Sequence, residues 1–392
     1  MFNALEGLTM GAKSSDSITP VLERLETGTP AHETQQLIAA KTVSRLPWLQ
    51  KNRHRIDKIY ANSRIDTRQL AIDLTKSENI HSLVHHPIQV RMQMFMEHAC
   101  SLTEKVARKA LTFDSNGKKS ELMDLINLIV IVSSTGFVAP GLDVKLIKQL
   151  GLKHDTARVN VGFMGCAGAM NGLRIACNHA RVYPNHKVLL VCIELSSINA
   201  VFEDDLNNVI THGIFGDGCA VAVIGGMKKN DADKQEQVTF QDHMSYLVPN
   251  TEDGIELGLQ DNAITCTLSP SLPDYLTNYV GKSVEEFLKQ HGRNKNDIDF
   301  WAVHPGGRRI IENVQCSLGL RDEQIEASWD ILCQYGNMLS PAVLFVLKNI
   351  FSRMDKGEYK SVHGKDFLLG FAFSFSPGIG VEGVLLKKSL DK

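Results

Sequence analysis

Long hydrophobic runs are missing from this 392-residue chain. The best, residues 128–132, is short and follows Asn127, far below the roughly 18 apolar residues that span a bilayer. A charged-then-apolar leader pattern is missing from the first residues as well, so neither a membrane span nor secretion is expected. The eight cysteines form no CxxC pair and keep no regular spacing, which argues against zinc ribbons and a disulfide framework. Unpaired thiols in this number fit a reducing, cytoplasmic setting. Neither sign of charge dominates, since 42 Lys+Arg stand against 44 Asp+Glu for a net of −2. A chain so balanced is no polycation seeking nucleic acid.

What is present is core material. Apolar residues make up 43% of the chain, enough to exclude disorder. At roughly 100–200 residues per domain, the length predicts about two domains or halves. Residues 1–30, punctuated by Gly, Ser, Thr and Pro, read as a loose arm. In the first half, 31–235, a helix is expected over 48–62 with Leu49, Ile56 and Ile59 on one side. Another is expected over 89–112, with Arg91, Glu97 and Lys105 facing out of an apolar stripe. The Ile/Val-rich run 124–132, stopped by Ser133-Ser134-Thr135-Gly136, predicts a buried parallel strand. Further strands are expected at 158–163, 187–194 and 219–224. The second half, 236–392, opens with antiparallel strands within 246–266. A short helix at 284–291 follows, then strands at 299–303, 367–375 and 381–386 and a helix at 338–354. Strands alternating with helices imply mostly parallel sheets covered on both faces. A strand, a reactive residue and a helix recur in each half.

Three residues stand out chemically. Cys166 lies between Gly165 and Ala167-Gly168, after a strand and before a helix. Free N–H groups and positive potential at a helix N-terminus favour thiolate over thiol. A buried structural thiol is the competing reading. His304 ends a strand and precedes Pro305-Gly306-Gly307, so it projects from a rigid base where α/β sheets bind ligands. Asn337, in Tyr335-Gly336-Asn337-Met338, fits a helix N-cap when taken alone. As a set they suit carbon–carbon bond formation on an acyl thioester. Cys takes the acyl group. His and Asn donors polarise a thioester carbonyl and hold the enolate left when a malonyl group loses carbon dioxide.

The run GFMGCAGAMNGLR over 162–174, Phe215-Gly216-Asp217-Gly218, His304-Pro305-Gly306-Gly307, Tyr335-Gly336-Asn337-Met338 and Ser376-Pro377-Gly378 together resemble type III polyketide synthases. These are the chalcone synthase-like branch of the thiolase fold, and the spacing after Cys166 looks more like microbial members than plant ones. The resemblance covers roughly residues 40–390. It implies a five-layer αβαβα sandwich of two related halves, a homodimer and no metal or organic cofactor. It makes Cys166 the nucleophile and His304 with Asn337 the decarboxylation and oxyanion pair. Substrates would be an acyl-CoA starter and malonyl-CoA, the product a pyrone, resorcinol or phloroglucinol. Delivery by an acyl carrier protein stays open. So do two other activities: a single-step ketoacyl synthase, which the HPGG block speaks against, and a non-catalytic acyl-binding subunit, which the intact Cys-His-Asn set speaks against.

The same resemblance places a gatekeeper ring at Phe215 and a second gatekeeper position at Cys266. A thiol in place of a ring there would open the cavity to a fatty acyl starter. Asn199 falls near a cavity-lining polar position, and Ser133-Ser134-Thr135 near another. The family's Gly-Phe-Gly-Pro-Gly stretch reads Ser374-Phe375-Ser376-Pro377-Gly378 here. Gly216-Asp217-Gly218 reads as scaffold, a tight turn with the Asp bonded to backbone. Residues 41–68 carry eight Lys/Arg against Asp57 and Asp66, a local net of +6. Arg55 and Lys58 match two coenzyme A phosphate-binding positions of the family. A third falls on Asn62, for which Arg308 and Arg309 could compensate by bidentate pairing. The plain alternative is a solvated basic helix face.

Overall fold

The β-branched runs become two leaves of sheet. The computed structural model describes residues 17–111, 121–203, 205–234 and 237–390. The first leaf holds β1 (Ile18–Gly28), β4 (Ile126–Ser133), β5 (Ala157–Gly162), β6 (Lys187–Leu195) and β7 (Asp217–Lys228), in the spatial order β5-β4-β6-β7-β1. Strands β5, β4 and β6 are parallel, while β7 and β1 run antiparallel to their neighbours. The second leaf holds β8 (Val238–Leu247), β11 (Phe300–Val303), β12 (Phe367–Ser376) and β13 (Gly380–Ser389), in the order β11-β12-β13-β8. It too starts with a parallel pair and continues antiparallel. The sheet is therefore mostly antiparallel rather than mostly parallel as expected, because helical crossovers of the parallel kind join only β4, β5 and β6 and the pair β11 and β12. In chain order and direction, β4-β6-β7-β1 corresponds to β11-β12-β13-β8. The leaves meet at a short seam, Val21 opposite Thr239 and Leu22 opposite Val238, which joins them into one nine-stranded sheet.

Alternation along each strand sends side chains to two separate cores. On the first leaf Val130, Leu190 and Ala222 face inward, while Ile129, Leu189 and Val221 face outward. On the second leaf Ala302, Ala372 and Val384 face inward, while Trp301, Phe371 and Leu385 face outward. Between the leaves lie α7 (Gly168–Val182) and α13 (Ala342–Met354). Outside the first leaf are α4 (Ile88–Leu111) and α6 (Leu142–Leu150). Outside the second are α10 (Leu272–Gln290) and α11 (Arg308–Leu318). The result is five layers, with α12 (Asp322–Tyr335) contributing to both the inner and the outer core. A separate cap carries α1 (Gln36–Val43), α2 (Arg53–Ala61) and α3 (Ser77–Val84), with β2 (His32–Gln35) paired to β3 (Thr67–Leu70). Its own core packs on Phe202 and on Val209 of α8 (Leu206–Ile214). A hairpin of β9 (Ile255–Leu259) and β10 (Ile264–Leu268) faces α8, and the short helices α5 (Glu121–Asp124) and α9 (Lys229–Lys234) complete the chain.

Several expectations are corrected. Residues 18–28 are no loose arm but β1, zipped along its length to β7. The segment is weakly apolar because its backbone pairing holds it and few of its side chains, Val21 among them, are buried; the rest of 1–16 lies outside the described residues. The helix over 48–62 is a 3₁₀ segment, Pro47–Asn52, followed by α2. Arg91 does not face out. It is buried and donates to the carbonyls of Leu83, Ile198 and Ala200 at 2.8–2.9 Å, and burial lowers its pKa to about 10. The short helix at 284–291 is the second half of α10, which starts beside Pro273, where a missing N–H costs nothing. The helix expected at 338–354 begins only at Ala342, and α12 was not anticipated. Asp217 opens β7 rather than a tight turn, although its carboxylate does bond to backbone, accepting from Ala71 N at 2.7 Å and Ser197 N at 2.9 Å.

Helix α7 lies unusually close to the first leaf. A Cβ at Gly172 would sit 2.6 Å from a Leu190 methyl and 2.9 Å from a Val132 methyl. Gly172→Val should therefore lower the unfolding free energy by roughly 1–3 kcal/mol through overpacking. Urea unfolding measures this, and a variant as stable as the parent would mean that α7 can lift from the sheet.

Candidate active site

Cys166 is presented by the junction between β5 and α7. The strand stops at Gly162, and Phe163 (φ 56°) and Gly165 (φ 54°) turn the chain through left-handed conformations. Gly165 accommodates this at no steric cost. Its N–H donates to Ser134 Oγ at 2.9 Å, which ties the turn to the loop after β4. A single 3₁₀ turn, Gly165–Ala167, then leads into α7.

The second half supplies the partners. His304 follows β11, its N–H bonded to Phe373 O on β12 at 3.0 Å. Asn337 sits between α12 and α13, bridged to Phe215. Gly216 N donates to Asn337 O, and Asn337 N to Ile214 O, both at 2.9 Å. The Asn337 amide is oriented from both ends. Its Oδ1 accepts from Leu339 N at 2.8 Å, and its Nδ2 donates to Gly306 O at 3.2 Å. That Nδ2 stands 3.8 Å from Cys166 Sγ. So the amide, which taken alone fits an N-cap, points at the thiol, held there by the Gly306 carbonyl and the Leu339 N–H.

The three side chains line one chamber, whose other walls include Ile255, Leu257, Leu268 and Phe375. Phe215 and Cys266 also border it, and both face a second space lined by Asn199, Thr135, Ser196 and His212. The two residues therefore stand where one space meets the other. Asn199 bridges, with its Nδ2 donating to Thr135 O at 2.8 Å and its Oδ1 accepting from Ile264 N of β10 at 3.1 Å. Arg55 and Lys58 lie exposed on α2, outside both chambers. Arg308 opens α11 and is engaged with Glu312 at 2.8 Å. Asn62 caps α2, donating to Lys58 O at 2.8 Å.

Dryness decides the charges. His304 is 1% exposed, and neither ring nitrogen has a hydrogen-bond partner among the described residues. Burial lowers its pKa to about 3, with Asn337 working weakly against that. Its imidazole is thus neutral near neutral pH, one nitrogen a free donor and the other a free acceptor. Burial also pushes the Cys166 thiol up, the neighbouring Cys266 adds to the effect, and the Asn337 hydrogen bond opposes it. Here the structure corrects the expectation from the helix N-terminus: desolvation outweighs the helix potential, and Cys166 rests as a thiol. Cys266 is pushed up to about 12 by burial.

Sequence reasoning missed Glu194. Its carboxylate accepts from Ser134 N at 3.0 Å, Thr135 Oγ1 at 2.7 Å and Ser340 Oγ at 2.7 Å. Burial raises its pKa to about 7 against these hydrogen bonds. The available signal was a carboxylate inside an apolar strand, the residue type least often buried without partners. Among the described residues no cluster of three or more His, Cys, Asp or Glu could hold a metal ion, and no described helix is long and apolar enough to cross a membrane.

Two α/β leaves of matching strand order, with a cysteine from one half and a histidine and asparagine from the other, define an enzyme of the thiolase-like fold. Residues 21–228 match the family model for the N-terminal domain of chalcone and stilbene synthases, and 239–390 that for the C-terminal domain. The chain belongs to this family, the type III polyketide synthases, which transfer acyl groups with carbon–carbon bond formation. It is 42% identical to an alpha-pyrone synthesis polyketide synthase-like protein, Pks18, of Mycobacterium tuberculosis over 97% of this chain and 94% of that one. The crystal structure of PKS-I from the brown alga Ectocarpus siliculosus superposes with a TM-score of 0.88 at 40% identity, covering 95% of this chain and 99% of that one. The C-terminal type III domain of Steely1 from Dictyostelium gives 0.80 at 25% identity, covering 95% and 100%.

The buried histidines make stability depend on pH. His304 and His212 are held at about 3 and His243 at about 4, all by burial, against 6.5 in an exposed histidine. As pH falls below about 6.5 the unfolded chain takes up protons that the folded chain refuses, so stability drops. Glu194, raised to about 7 from 4.5, takes its proton first in the folded state and offsets one of the three. The thermal midpoint should therefore fall between pH 7 and pH 5. An unchanged or higher midpoint at pH 5 would contradict these assignments.

Proposed function

We propose that Cys166 carries the growing chain and that His304 and Asn337 generate the enolate. The observation that carries this reading is the convergence of all three, from separate elements, on one mainly apolar chamber. As an acyl-CoA enters, neutral His304 accepts the Cys166 proton. The thiolate attacks the acyl carbonyl, and the proton passes to the departing coenzyme A sulfur. Malonyl-CoA follows. The N–H donors of His304 and Asn337 then hold its thioester oxygen while the carboxylate leaves as carbon dioxide. The resulting enolate attacks the acyl-Cys166 carbonyl, breaking the bond to sulfur and leaving the lengthened chain on coenzyme A. The freed Cys166 thiolate takes that chain back, releasing coenzyme A, before the next malonyl-CoA enters. Both donors suit this task because they are uncharged and buried.

For the starter we propose a fatty acyl group. The chamber is walled mainly by aliphatic side chains, and the small Cys266 at its border leaves a passage toward the second space. For release we propose lactonisation to an α-pyrone, supported by the similarity to the Mycobacterium alpha-pyrone synthesis protein. Arg55 and Lys58 on the exposed face of α2 would take the coenzyme A phosphates, with Arg308 a weaker candidate because Glu312 already pairs with it. A homodimer through the free edge of β5 is proposed from the exposed Phe137 and Phe163 beside it, whose rings meet edge-on at 6.1 Å. A hydrophobic sheet edge of this kind calls for cover. The free state of all eight cysteines supports a cytoplasmic setting, and no organic cofactor enters the proposed steps.

Incubation with malonyl-CoA and acyl-CoAs of graded length, read by mass spectrometry, tests the starter and the ring. Acyl-carrier thioesters form a parallel arm. Linear single-extension products would overturn the iterative reading. Cys166→Ala should abolish product yet retain malonyl-CoA decarboxylation, whereas Asn337→Ala should slow decarboxylation by about 10²–10³, the size expected for losing one oxyanion donor. Cys266→Phe should shorten the longest accepted starter, and an unchanged preference would remove Cys266 from the passage.

A further inference from the structure

We infer that the outer face of the α1–α3 cap is a docking surface for an anionic lipid bilayer. Inside the cap, Ala39, Val43, Leu49, Ile56 and Leu83 are buried. Its outside would be expected to be polar, yet Leu37 is 59% exposed, Ile38 44%, Trp48 39% and Val84 37%. The elements bearing them are neighbours. Thr42 of α1 donates to Thr75 O, just before α3, at 3.1 Å. The Trp48 ring meets His81 of α3 edge-on with centroids 5.4 Å apart, and Val84 lies one turn beyond His81.

Cations surround these side chains. Lys41 and Arg45 follow Leu37 at four-residue intervals, and Lys51 follows Trp48. All three are exposed, and among the described residues none has a carboxylate within ion-pair distance. The acidic groups nearby are fewer: Glu33 and Glu78 are exposed, Asp57 is 3.9 Å from Arg53, and Asp73 is 3.7 Å from Lys76. Protruding Leu, Ile and Trp set among unpaired Lys and Arg are the chemistry of an interfacial segment, in which apolar tips enter the acyl boundary and cations meet anionic headgroups. None of the four apolar residues lines either chamber, and the cations beside them are not the Arg55 and Lys58 proposed for coenzyme A, so the surface draws on neither. The cap nevertheless packs on α8, whose Asn208, Thr211 and His212 line the second space. Docking would hold the synthase at the phase where long acyl thioesters collect. That benefit rests on the fatty acyl reading, but the binding itself does not.

Co-sedimentation of the full chain with vesicles tests the inference, using phosphatidylglycerol mixed with phosphatidylcholine against phosphatidylcholine alone. The bound fraction should be about tenfold higher on the anionic vesicles at 0.1 M salt and fall toward the zwitterionic level at 0.5 M. The pair Leu37→Glu with Ile38→Glu should lose most of this binding, and so should the pair Lys41→Glu with Arg45→Glu. Both should keep the parent thermal midpoint and the vesicle-free rate of malonyl-CoA decarboxylation. If the first pair proves unstable, the second decides. Equal binding to both vesicle types, or parental binding by the folded variants, overturns the inference. A protein that docks but makes no fatty acyl product would leave it standing and refute only the starter.

Discussion

One buried carboxylate gathers the site. Glu194 ends β6 in the first half, and its acceptors take up Ser134 and Thr135 from the loop after β4 and Ser340 from the second half. Ser134 in turn receives the Gly165 N–H, which fixes the turn before Cys166. Ser340 lies three residues from Asn337, so the same carboxylate secures the segment that aims the amide at the thiol. A group of this kind is costly to bury. Its hydrogen bonds only partly offset that cost, which is why it titrates near 7 rather than as an ordinary carboxylate. What it gives the fold is a fixed relation between two halves whose sheets touch only at a short seam.

The same desolvation sets the chemistry. A wet site would favour a charged imidazole and a more acidic thiol. Here both rest neutral, which leaves the His304 ring one free donor and one free acceptor, as the proposed steps require. A dry chamber also strengthens each hydrogen bond made to a developing oxyanion. Apolar walls and catalytic polarity are thus one design feature rather than two. Phe215 serves both, since its backbone bridge to Asn337 orients the amide while its ring borders both spaces.

Much of this was legible in the chain. Runs such as 126–133 and 187–195 are apolar on both faces, which only a doubly covered sheet explains. Cys166, His304 and Asn337 each sit at an element end marked by glycine, and the motifs around them define the family. The misreadings have physical causes. β1 is held by backbone pairing, which leaves no side-chain pattern. Arg91 follows a helical stripe as a polar residue should, but its guanidinium is spent on carbonyls at the ends of other elements. Glu194 reads as the polar end of a strand until Ser340, 146 residues away, is brought beside it.

Sequence alone was enough for the class of fold, for singling out Cys166, His304 and Asn337, and for the local turns beside them, because these depend on short-range pattern and residue chemistry. It also determined that the amino-terminal segment is basic. Only the tertiary structure decided the protonation of Cys166 and His304, the shared border of the two chambers at Phe215 and Cys266, and the gathering role of Glu194. It alone separated the buried from the exposed apolar residues of the cap. The reason is common to all of these. Burial and desolvation are set by which distant segments pack together, and no local stretch of chain carries that information.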